Sequence, residues 1–350
     1  MCPSGRLPEP GLPGCCLQTD QRLPSILYNA ASKVLPNNEI NSIWYHGEGK
    51  TAHISSDSDS TIYINPYTAE VVNISEDHED FFHFIEEGHF FVWLPEKVGS
   101  VVVGWATFIF LILLITGVVL WWPKKWSKTN TNKSFKIKWR AKFKRVNYDL
   151  HNVLGFYSLI FALLLAVTGL VMSFAWFSNG VFWLAGERNV SNKRVKPLSD
   201  TSYHVQVASL QKIDEAWQMG VTTIGEYNKD QIIIAFPKKA SDAISLCVDM
   251  YNGTWRYVYL DQHTLKPLPA SELKIKDEPF ARWLRRSNFG LHVGAFFGLP
   301  TKIIFFFVSM VVASLPITGF YIWWGRRKKN KKADSDLTFQ NPIKKTLRVT

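Results

Sequence analysis

The sequence predicts an α-helical membrane protein: three transmembrane helices with two small α+β modules on the extracytoplasmic side. Three observations predict this class. Three apolar runs are each about 25 residues long, positive charge is concentrated directly behind two of them, and a strand-and-turn pattern precedes two of them.

The runs are Val98 to Trp122, His151 to Phe177 and Leu299 to Trp324. At about 1.5 Å of rise per residue, each is long enough to cross a hydrocarbon core of roughly 30 Å. The alternative, helices buried in a large soluble core, does not explain the charge. Of the 40 Lys and Arg residues, ten lie between Pro123 and Leu150 and six between Arg326 and Lys332. The net charge of +11 would also admit a nucleic-acid binder, but its concentration beside membrane spans rather than on a soluble domain argues against a nucleic-acid partner. Trp121, Trp122, Trp323 and Trp324 stand where interfacial aromatic residues are expected, and the adjoining basic residues mark the cytoplasmic side, facing anionic membrane lipid.

The expected organisation follows along the chain. Residues 1–24 form an atypical leader expected to be disordered, and 25–80 form the first extracytoplasmic module. An amphipathic, His-bearing helix at 81–97 leads into the span at 98–122. A basic cytoplasmic loop covers 123–150, and the second span covers 151–177. The second module covers 178–280, a His-bearing segment covers 281–298, and the last span at 299–324 ends in a basic tail at 325–350. This topology needs something to carry the first module across the membrane. The leader has neither the charged start nor the apolar stretch of a signal peptide, so a first helix is expected to be missing from the sequence. The four cysteines, Cys2, Cys15, Cys16 and Cys247, make no evident disulfide framework, and no C-x-x-C-H for covalent haem attachment occurs.

The modules read as a duplication. "TIYINPYTAEVV" at 61–72 and "YVYLDQHTLKPL" at 257–268 each predict a strand, a turn begun by Asn65 or Asp261, and a second strand. Upstream, "ILYNAASKVLPNNEINSIWYH" and "VQVASLQKIDEAWQMGVTTIGEY" each predict a short helix followed by a strand. Downstream come His89 with Leu94-Pro95-Glu96-Lys97 and His292 with Leu299-Pro300-Thr301-Lys302. Gly117 lies 28 residues after the first histidine and Gly319 27 after the second.

In "YINPYTAEVV", "FFHFIEEGHFFVWLPEKVG", "RVNYDLHNVLGFYSLIFALLLAVTGLVMSF" and "NFGLHVGAFFGLPTKIIFFFVSMVVASLPITGFYIWW" the sequence resembles the PepSY-associated transmembrane proteins, over about residues 25–329. These include iron-regulated membrane proteins and siderophore-linked ferric reductases. The resemblance implies four helices, the first with a His-containing motif. It also implies a bacterial cytoplasmic (inner) membrane location with the modules in the periplasm.

Of nine histidines, His46, His53, His78, His204 and His263 fall in polar stretches and read as solvated surface residues, while His83 is ambiguous. His89, His151 and His292 lie in apolar, helix-like contexts beside the spans. An ionisable group there is a functional candidate, and neutral imidazole is a common axial ligand of haem iron. Gly88, Gly155, Gly290 and Gly294 would let a flat porphyrin approach the backbone. The alternative for each is an interfacial histidine bonded to a headgroup or a carbonyl. Under the resemblance the expectation is haem b: an outer haem held by His89 and His292, and an inner site at His151 that is incomplete in this sequence. Thr116-Gly117, Thr168-Gly169 and Thr318-Gly319 read as close helix packing, with a haem-edge position as the alternative.

No nicotinamide or flavin fingerprint, Walker sequence or H-E-x-x-H occurs. The expected function is electron transfer across the membrane, from an unidentified cytoplasmic-side or membrane donor to a ferric-siderophore or another extracytoplasmic acceptor. The alternative is a non-enzymatic membrane protein whose modules bind a peptide or protein partner.

Overall fold

The computed structural model describes residues 21–57, 60–76, 81–122, 127, 131, 134–187, 197–200, 206–226 and 230–339, with side chains as far as residue 327. Most of the leader, His78 and His204 lie outside the described residues. The chain divides into two compact units, one of residues 1–93 and 182–287 and one of residues 94–181 and 288–350.

The first unit is built on one antiparallel sheet. Helix α1 (Pro24–Val34) opens with proline, whose fixed φ and missing N–H suit a first helical turn. Strands β1 (Ile40–Tyr45), β2 (Ala52–Ser56), β3 (Ser60–Ile64) and β4 (Val71–Glu76) follow, then helix α2 (Phe81–Phe91). Three further strands come from the second half of the chain: β5 (Ile232–Ala235), β6 (Ile244–Val248) and β7 (Arg256–Leu260). The strand order is β4-β3-β2-β1-β5-β6-β7. The duplicated modules are therefore halves of one sheet, joined where Ser42 to Tyr45 pair with Ala235 to Ile232. Each half alone would leave a bare strand edge, and pairing the two edges satisfies both sets of backbone groups.

One face of this sheet holds the core. Ile43, Tyr45, Ile54, Ile62, Ile234, Ile244, Leu246 and Leu260 alternate inward with period two and pack against Leu27 and Ala31 of α1. Helix α6 (Leu210–Met219) adds Ile213, Ala216 and the fully buried Trp217, whose ring lies 5.1 Å from that of Tyr45. The helices are tied together by Asp214, which accepts from the Ser25 N–H at 2.8 Å and the Ser25 hydroxyl at 2.6 Å.

The duplication survives in the turns. Asn65 Oδ1 accepts from the N–H of Tyr67 and Thr68, and Asp261 Oδ1 accepts from the N–H of His263 and Thr264. Ala69 and Leu265, at matching positions, both take left-handed backbone, with φ of 64° and 57°. Two expected strands differ from the structure. The return segment after Asp261 makes only an isolated bridge, Leu260 to Pro267, because Pro267 and Pro269 lack the N–H that a ladder needs. The strand expected after α6 is instead a π-helical turn, Gly220–Ile224, closed by the Gly225 N–H on the Gly220 carbonyl at 2.9 Å. Ile232 packs where a Gly220 side chain would stand, and the strand forms later, as β5.

The second unit is the helical bundle: α3 (Glu96–Trp121), α4 (Phe143–Ser173) and α8 (Leu299–Phe339); α5 (Ala175–Leu184), after α4, and α7 (Phe280–His292), ahead of α8, each run across the division between the units. The three long helices are apolar and long enough to span a membrane. Helix α4 packs against both α3 and α8. Ala162 and Ala166 of α4 meet Leu114 of α3 in a small core, and Trp121 stacks on Phe156 at 4.0 Å. Ile109, Leu113, Ile160 and Phe306 lie exposed on the outside, where hydrocarbon rather than water is the compatible solvent. Helix α4 begins at Phe143, ahead of the apolar run, and its polar first turns bury Asp149 against Arg145 at 2.8 Å.

Candidate functional site

Helix α4 carries one histidine onto α8 and receives another from the end of α7. Near the start of α4, His151 Nδ1 lies 2.9 Å from the hydroxyl of Thr318 on α8. At the end of α7, His292 Nδ1 lies 2.8 Å from the hydroxyl of Thr168 on α4. Each imidazole also lies over the glycine that follows its threonine. A Cβ at Gly319 would stand 3.2 Å from His151 Cε1, and one at Gly169 would stand 3.4 Å from His292 Cε1.

An asparagine one helical turn earlier completes each seat. Asn147 Nδ2 donates to the Thr318 carbonyl at 3.1 Å, and Asn288 Nδ2 donates to the Thr168 carbonyl at 3.1 Å. The repeated unit is thus Asn-x-x-x-His on one helix docked on Thr-Gly of its neighbour. Residues i and i+4 share a helix face, so both side chains reach the same partner.

The threonines fix the tautomer. Thr318 Oγ1 lies 3.0 Å from the Ser314 carbonyl of its own helix, and Thr168 Oγ1 lies 2.6 Å from that of Leu164. A hydroxyl has one hydrogen, and in both cases a carbonyl takes it. The oxygen then accepts from the histidine, which places the proton on Nδ1 and the lone pair on Nε2, one of the two neutral forms in which imidazole ligates a metal.

His151 also borders a cavity of about 600 Å³, walled mainly by apolar groups that include Phe110, Gly155, Phe156 and Phe320. That volume lies in the range of small-molecule and cofactor sites. Thr116 and Gly117 of α3 line it as well. Thr116 Oγ1 is within hydrogen-bonding distance of the Ile112 carbonyl, at 2.9 Å, and nothing lies within 4 Å of a Cβ placed on Gly117. The third Thr-Gly therefore carries no imidazole among the described residues. A mainly apolar cavity bordered by an imidazole has the lining that a haem would need, with His151 as the residue that would hold it.

His89 sits on α2 in the sheet-bearing unit, exposed, with its ring 5.6 Å from that of Phe90. Gly88 beside it is filled by the Trp93 ring, which leaves no room for a side chain there. His83 pairs with Glu87 at 3.6 Å. The asparagines and the choice of threonine partner escaped the sequence reading. The recurrence of Asn-x-x-x-His at 147–151 and 288–292 was the signal available.

These features define a helical membrane protein with a separate antiparallel sheet and two threonine-anchored histidines in its bundle. A family model for the PepSY-associated TM region matches residues 18–326, and the chain belongs to that family. No curated protein matches it.

Proposed function

We propose that this protein binds haem b through His151 and His292 and passes single electrons across a bacterial inner membrane to a ferric-siderophore or similar acceptor on the periplasmic side. The observation that carries the reading is the threonine anchor at both histidines, which presents Nε2 as a lone pair. Donation from Nδ1 to Thr318 or Thr168 also raises the ligand strength of the ring, as outer-shell partners of metal-bound histidines do.

In this reading His151 belongs to an inner site and His292 to an outer one. A bound haem supplies a one-electron couple between its ferric and ferrous states. The chain's own part is to hold the imidazoles in one tautomer, to keep water out with the apolar walls around His151, and to leave glycine surfaces where a flat ring can lie. The basic residues 123–150 and 325–350 stay cytoplasmic, where an electron donor arrives, and the sheet-bearing unit faces the acceptor.

Liposomes carrying the protein, with dithionite trapped inside and a ferric chelate outside, test this reading. Ferrous iron is expected to appear outside at a rate well above that of protein-free liposomes and to return to background with His292→Ala. Equal rates with and without protein would overturn it.

A further inference from the structure

The face of the sheet turned away from α1 and α6 carries a second histidine pair. Cross-strand pairing sets His53 between Trp44 and Tyr63, and His46 follows β1 two residues beyond Trp44, on the same side. His46 Nε2 lies 2.8 Å from His53 Nδ1. The indole of Trp44 holds both rings: it stacks on His46 with centroids 4.7 Å apart and meets His53 edge-on at 4.9 Å. Its own Nε1 donates to Gln231 Oε1 at 3.0 Å.

We infer that His46 and His53 form a two-imidazole seat for a divalent transition-metal ion of tetragonal preference, with Cu(II) the best fit. Metal-to-imidazole bonds are about 2.0 Å, so two nitrogens at right angles around one ion stand about 2.8 Å apart, whereas a tetrahedral ion needs about 3.3 Å. The observed separation equals that square-planar edge, and the hydrogen bond now spanning it is the contact that an entering ion would replace. The ring centroids are 4.7 Å apart with planes inclined by 55°, closer than an end-to-end contact of this length would leave them, so the rings meet at an angle.

The one proton between the rings moves through solvent to the other nitrogen of its own ring as the ion enters, so two neutral histidines bind with no net proton release. Among the described residues no third His, Cys, Asp or Glu joins the pair in a metal-binding group, so water completes the plane. This seat needs no haem elsewhere in the protein.

Detergent-purified, tag-free protein stripped of metal, titrated with copper(II) chloride and followed by electron paramagnetic resonance, tests it. One tetragonal Cu(II) per chain is expected, split by two imidazole nitrogens. His46→Gln and His53→Gln should each remove one nitrogen coupling and weaken binding about tenfold or more. Hydrogen exchange in β1 and β2 checks folding, and His46→Gln, beyond the strand end, carries the test if the strand variant unfolds. Absence of a stoichiometric site, or a two-nitrogen spectrum unchanged in the folded variants, would overturn the inference.

Discussion

His151 on α4 and Thr318 on α8 meet through one hydrogen bond of 2.9 Å, although 167 residues separate them. Thr318 gives its own hydrogen to its helix, so the contact has a direction, and the direction decides which nitrogen is left to bind. The His292 to Thr168 bond repeats it.

Thr318→Val and Thr168→Val should therefore loosen cofactor binding without unfolding the bundle, by about 10- to 100-fold in affinity, the range found for outer-shell partners of metal-bound histidines. Thr→Ser variants keep the oxygen and should keep binding. Haem titration with Soret absorbance checks both substitutions at each site.

Gly319 tests the seat from the other side. A Cβ there would already stand 3.2 Å from His151 Cε1. Gly319→Ala should be tolerated with a small ring shift, whereas Gly319→Val should displace the imidazole. Haem occupancy should fall only in the second variant, and helix content by circular dichroism should hold in both.

The duplicated turn predicts an acid sensitivity confined to one copy. Burial pushes the Asp261 carboxyl up, but the N–H groups of Thr264, Asp200 and His263 and the Thr264 hydroxyl outweigh it and hold it below the ordinary carboxylate range. A depressed carboxyl contributes stability that is present above its unfolded pKa of about 3.9 and is lost as pH falls through the folded value. Asn65 makes the equivalent turn through an amide oxygen that does not titrate. Amide exchange at Thr264 and Leu265 should accelerate relative to Thr68 and Ala69 below about pH 4, and Asp261→Asn should remove the difference.

Trp217 belongs to the second module by sequence, yet it packs in the same core as Tyr45 and Ile54 of the first. Trp217→Ala should cost about 3–5 kcal/mol. Exchange protection should fall together in β1–β4 and β5–β7. Loss confined to β5–β7 would show that the halves fold separately.

The spans were legible because a soluble fold rarely buries an apolar run long enough to cross a bilayer, and basic residues follow two of the runs. The hairpin turns were legible because Asn65 and Asp261 cap their own backbone locally. Partner choice was not: the sequence shows that Thr168-Gly169 and Thr318-Gly319 are small, but only the packing of α4 against α8 and against the end of α7 brings a histidine onto each. The joining of β1 to β5 is equally non-local, as was the His46 and His53 pair, which polar neighbours had marked as surface. Pro267 was visible in the sequence, and its missing N–H argues against the return strand that symmetry with β4 had suggested.

The most direct test of the central claim is a reduced-minus-oxidised visible spectrum of the detergent-purified protein beside His151→Ala and His292→Ala. A sharp low-spin b-type signal in the parent, diminished in each variant, is the predicted result. A parent with no haem signal after expression with ample haem, or a signal unchanged in both variants, would contradict it.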